Sequence, residues 1–105
     1  MPGLITIRQT PQFAAWIAAL RDIRAKARIA ARIDRLALGH FGDAKPVGGG
    51  VTELRIDNGP GYRLYIARQG DRYILLLCGG DESTQRTDIG QAHNLVAALE
   101  HDDGT

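Results

Sequence analysis

Apolar and polar positions alternate over two stretches of the chain and run together over a third. From Val51 to Asp57, Thr52, Leu54 and Ile56 fall on one face; Val51, Glu53, Arg55 and Asp57 fall on the other. From Tyr62 to Ala67, Tyr62, Leu64 and Ile66 oppose Arg63, Tyr65 and Ala67. Tyr73 to Cys78 is an unbroken apolar run, which predicts a strand buried on both faces. Asn58-Gly59-Pro60-Gly61 and Gln69-Gly70-Asp71 separate the three, so a meander is expected. The alternation allows Arg55, Arg63 and Tyr65 to share one face.

Upstream, Leu4 to Arg8 is short and β-branched and predicts a first strand. Thr10-Pro11 predicts a helix start, with Thr10 as N-cap and Pro11 in the first turn. Phe13, Trp16, Ile17 and Leu20 then recur at helical spacing, and Trp16 is expected in the core. Asp22 marks a break or cap before a second helix, Ile23 to Leu38, with Ala25, Ile29, Ile33 and Leu36 as its apolar stripe and Gly39 closing it. Arg24, Arg28, Arg32 and Arg35 lie on another face, read first as solvated and alternatively as phosphate contacts. His40 to Gly50 predicts a loop. Its three glycines precede a strand, the wrong context for a phosphate-binding fingerprint. Gly79-Gly80 ends the buried strand, Asp81, Ser83 and Thr84 offer caps, and Ile89, Ala92, Val96 and Leu99 mark a last helix; His101 to Thr105 is expected to fray. The order is β-α-α-β-β-β-α: one α+β domain over 1–105, with 102–105 as tail.

At 105 residues the chain has room for one modest core. Net charge is +1, but its distribution is uneven: residues 1–78 carry net +6 and residues 79–105 net −5. A basic body suits a polyanion such as RNA; solvated charged faces are the alternative. The single Cys fits a reducing compartment, and Cys78 reads as a small buried hydrophobe. MPGLITIRQT has no basic-then-apolar leader pattern, and no apolar run approaches ~18 residues. A cytoplasmic location is expected. His40, His93, His101 and Cys78 lie in no metal-ligand spacing. Glu53 and Asp57, beside Arg55, read as ion-pair partners.

The loop and meander carry a spaced set of residues: Gly42-Asp43, Lys45, Val47-Gly48, Gly50-Val51, Glu53-Leu54-Arg55, Gly59-Pro60-Gly61-Tyr62-Arg63, Tyr65, Gly79-Gly80-Asp81 and Ser83-Thr84-Gln85. With Phe13, Trp16 and Arg32 to Leu36, this set resembles the toxins of type II toxin–antitoxin modules. The likeness is to the RelE/ParE superfamily, in its HigB-like "addiction module killer protein" branch, over about Ile5 to Leu99. The resemblance implies a four-stranded, mainly antiparallel sheet with an N-terminal helical hairpin on one face, a concave basic surface on the other, and a C-terminal helix. It implies a ribosome-dependent mRNA endoribonuclease that inhibits translation through attack of a ribose 2′-OH on the adjacent phosphate. That chemistry calls for no metal, and no cofactor is expected. Catalytic candidates are Arg55, Arg63 and Tyr65, the last for base stacking or proton transfer. Lys45 and Arg86 are RNA-binding candidates. The implied partners are a helix-turn-helix antitoxin, the ribosome and mRNA, with no membrane. Alternatives are a ParE-like, non-enzymatic inhibitor of DNA gyrase and a member that only binds antitoxin. One departure stands out: Glu82 occupies the place where this branch commonly has lysine.

Overall fold

The computed structural model describes residues 4–57 and 59–103, with side chains as far as Glu100. The leader reading of Met1 to Gly3, Asn58 in the first turn, and the tail residues 104–105 lie outside the described residues. Strand β1 (Thr6–Gln9) leads into helices α1 (Pro11–Ala19) and α2 (Ile23–Ala37). Strands β2 (Ala44–Pro46), β3 (Val51–Arg55), β4 (Arg63–Gln69) and β5 (Tyr73–Gly80) follow, then a one-turn 3-10 helix (Glu82–Thr84) and helix α3 (Gln85–Asp103).

The sheet has the order β1-β5-β4-β3-β2. β1 runs parallel to β5 and every other pairing is antiparallel. The α+β architecture agrees with expectation, with one strand added. Ala44 to Pro46, expected as loop, pairs with β3 in the register Lys45↔Glu53. A three-residue edge strand containing Pro has too little pattern to register in sequence. Helix α3 also continues to Asp103, through three residues expected to fray.

The helix starts follow from local chemistry. Thr10 Oγ1 accepts from Phe13 N at 3.0 Å and donates to Leu77 O at 2.5 Å, capping α1 and fastening it to the sheet. Asp22 caps α2 through Ala25 N at 3.0 Å. At the far end of α2, Gly39 takes φ +89, and paired bonds close a Schellman turn: His40 N to Arg35 O and Gly39 N to Leu36 O, both 2.9 Å.

Two cores form, one on each side of the sheet. Phe13, Ala25, Ile29 and Leu36 of α1 and α2 pack on Leu54, Ile56, Tyr62, Leu64, Ile66, Ile74 and Leu76. Trp16, expected in the core, is half-buried and packs against it, edge-on to Tyr62 with centroids 6.3 Å apart. On the opposite side Ala92 and Val96 of α3 pack on Val51, Tyr65, Ala67, Leu77 and Cys78. The second face is therefore not an open concave surface: α3 covers most of it. The glycine run forms the β2–β3 turn. Gly48, Gly49 and Gly50 all take positive φ, and the half-buried His93 ring sits against the turn with Nε2 3.0 Å from Val47 O.

Candidate functional site

Cross-strand register determines which side chains meet beyond the start of α3. Arg55 stands opposite Arg63, and Arg63 opposite Gly80. One step along, Lys45, Glu53, Tyr65 and Cys78 form the next row. Alternation puts both rows on the α3 side of the sheet. A β-bulge between Tyr65 and Ile66 preserves that facing across the irregularity in β4–β5 pairing.

Glu53 is the hub. It is fully buried, and both carboxylate oxygens are engaged. Arg55 Nε donates to Oε1 at 3.3 Å, and Arg63 Nε lies 3.6 Å from the same oxygen. Gln85 Nε2 donates to Oε2 at 2.7 Å and the Tyr65 hydroxyl donates to it at 3.3 Å. Burial alone would raise the carboxyl's pKa. The bonds from Gln85 and Arg55, the charge of Arg63 and the Tyr65 bond outweigh burial and hold it below its ordinary value. Glu53 is thus ionised and fixes the directions of two guanidinium groups.

The two arginines differ in exposure. Arg55 is 44% open at the side chain, Arg63 10%. Arg63 Nη1 donates to Gly61 O at 3.2 Å, whereas its buried Nε makes no hydrogen bond. Both line a cavity of about 250 Å³ with Asp43, Ile56, Asp57, Gly61 and Tyr62. A guanidinium pair beside an open concavity suits a phosphate or another oxyanion.

The remaining candidates are placed less favourably. Tyr65 is fully buried beneath α3, so its ring offers no surface to a base. Burial first, and then the charge and bond of Glu53, push its phenol far up. The stacking role expected of Tyr65 is thereby corrected: it is a buried donor to Glu53. Lys45 is exposed on edge strand β2, opposite Glu53. Arg86 lines a separate depression with Gln85 and Ile89. Glu82 is exposed. Its N–H donates to Pro60 O at 3.2 Å, and a Cβ added at Gly61 would lie 3.5 Å from Glu82 Oε2 and 3.6 Å from Arg63 Nη1. The Glu82 side chain thus flanks Gly61, as the Arg63 guanidinium does.

Sequence reasoning placed Gln85 in the spaced set without giving it a role and assigned Glu53 only to ion pairing. The available signal was an acid in mid-strand on the cationic face.

No family model matches the chain. It is 52% identical over 95 residues to a Haemophilus influenzae protein described only as uncharacterized, covering 90% of this chain and 96% of that protein. Among solved structures, a chain of the toxin–antitoxin complex RelBE2 from Mycobacterium tuberculosis shares the fold with a TM-score of 0.60 at 19% identity. That match covers 75% of this chain and 99% of the other.

Proposed function

The chain belongs to the same family as the Haemophilus influenzae protein, and we propose that it is the toxin of a type II toxin–antitoxin pair, acting as a ribosome-dependent mRNA endoribonuclease. The observation that carries this reading is the Arg55–Arg63 pair, held by Glu53 at a cavity on a fold shared with a chain of a toxin–antitoxin complex. Arg55 and Arg63 bind the scissile phosphate and stabilise the charge that builds on its oxygens. The ribose 2′ oxygen forms the new bond to phosphorus while the bond to the 5′ oxygen breaks. The 2′ proton goes to a base, and the leaving 5′ oxygen takes up a proton. Asp43 and Asp57, carboxylates lining the cavity, are the groups available as base. Lys45 and Arg86 contribute RNA contacts at the periphery. Neutralisation comes from a cognate helix-turn-helix antitoxin that covers the arginine pair.

In a reconstituted translation reaction, mapping of message 5′ ends is expected to show new ends at ribosomal A-site positions. They should depend on ribosomes and be lost in Arg55→Ala, a variant chosen because its side chain is the exposed one. Intact message alongside growth arrest rejects the nuclease. The burial of Tyr65 favours gyrase inhibition as the second reading, and a supercoiling assay then tests it.

A further inference from the structure

We propose that the α2 face formed by Arg28, Ala31 and Arg35 is a second anion subsite, which carries single-stranded RNA toward the Arg55–Arg63 cavity; this rests on the RNA reading above. The residues Arg28, Ala31, Arg32 and Arg35 follow i, i+3, i+4, i+7 spacing and so share one helix face. They line a cavity of about 210 Å³ with Ile56 and Asp57. Ile56 and Asp57 also line the Arg55–Arg63 cavity, so the two depressions adjoin. Ala31 supplies depth between two long side chains.

The arginines on this face divide their work. Arg32 is fully engaged within the fold. It donates to Phe41 O from Nε at 3.2 Å and from Nη2 at 2.8 Å, to Asp43 O at 2.9 Å, and to Arg55 O at 2.7 Å. Gly42 makes room: at φ +65 it lacks the Cβ that would lie 3.0 Å from the guanidinium. Arg32 thereby ties α2 to the end of β3, beside the depression that it lines. Arg28 and Arg35 are exposed, and neither pairs with a carboxylate among the described residues.

The occupant follows from the lining. Across the adjoining depressions five arginines (28, 32, 35, 55, 63) face two aspartates (43, 57), so the surface is cationic. Ala31 and Ile56 are its main apolar contributions near α2. An amphipathic peptide helix needs an apolar trough, which this is not. A phosphodiester strand needs spaced guanidinium groups, which Arg28 and Arg35 supply two turns apart.

The test is binding of a labelled 2′-O-methyl oligouridylate, which has no free 2′ hydroxyl to attack. Anisotropy is followed between about 50 and 200 mM salt, where each single-strand phosphate contact contributes about 0.7 to the slope of log K against log salt. Arg28→Ala/Arg35→Ala is expected to flatten the slope by about 1.4. Arg8→Ala, on β1 at the opposite edge of the sheet from β2 and β3 and over Tyr73, is expected to leave it unchanged. An unchanged slope in the double variant, with binding still lowered by Arg55→Ala, overturns the α2 subsite and leaves the RNA reading intact. Absence of binding by the unaltered protein overturns the α2 subsite, while the ribosome-dependent reading is decided by the translation reaction. Equal flattening by Arg8→Ala overturns the subsite in favour of diffuse charge. Polyglutamate bound through Arg28 and Arg35 in place of the RNA assigns the surface to an acidic polypeptide and also overturns it.

Discussion

A single carboxylate sets the character of the candidate site. Glu53 has no exposure, and the guanidinium of Arg63 beside it is nine-tenths buried. Removing one member of a buried pair strands the other without compensation. Glu53→Ala is therefore expected to lose about 3–5 kcal/mol in urea unfolding. Arg55 reaches the same oxygen from solvent, and its contribution is screened; Arg55→Ala should cost below about 1 kcal/mol, which suits it to functional tests. Glu53 also gives stability a pH dependence. Its folded pKa lies below the unfolded value, so the native state binds this proton less readily than the unfolded chain. The contribution is complete above the unfolded carboxylate pKa of about 4.3 and is lost as pH falls through the folded value. Urea midpoints measured downward from about pH 6 should fall in that window. Glu53→Gln, which keeps an oxygen acceptor and carries no titrating charge, should flatten this part of the fall.

Each element is held at its ends as much as by its stripe. Thr10 serves α1 and β5 with one hydroxyl, capping Phe13 N and bonding Leu77 O. Thr10→Ala should cost about 1–2 kcal/mol, at the upper end of N-cap losses, because a buried carbonyl loses its side-chain donor as well. Thr10→Ser should recover most of it, and thermal unfolding of the pair distinguishes the two. These ends were legible: Thr10-Pro11, Asp22 and Gly39 announce their caps through residue type alone. The meander was legible from alternation, since a period of two is the mark of a pleated strand with one face buried. Strand β2 was not, because three residues carry no period. The seat of α3 was half legible. A strand apolar from Tyr73 to Cys78 demands cover on both faces, and α3 was the helix left to provide it. The expectation of an open basic face came from resemblance and conflicted with that run. The site was legible as an Arg55–Arg63 pairing because register follows from the meander. The burial of Tyr65 was not, since it depends on where α3 lands. The clamp at Arg32 was hidden too, because an arginine bonding main-chain carbonyls leaves no mark in a charge pattern.

The whole molecule is one sheet between two cores, and strands β3, β4 and β5 contribute to both. Unfolding one core without the other would have to leave those strands bare on one side. The sole cysteine reports on this directly. Cys78 is buried under α3, with Sγ 3.5 Å from Asp88 O. Burial first, and then the charge of Asp88, push its thiol up to about 12. The unfolded thiol, near 8.5, is substantially ionised at mildly alkaline pH, so reaction with a thiol reagent requires opening. If the two cores open together, the labelling rate should rise with urea along the slope m of equilibrium unfolding. A markedly shallower slope would mean that α3 lifts from the sheet by itself, exposing Tyr65, Cys78 and the inner side of the Glu53 hub. That outcome would make the Tyr65 ring accessible in the opened state. Full coupling instead makes α3 a fixed part of the support beneath Arg55 and Arg63.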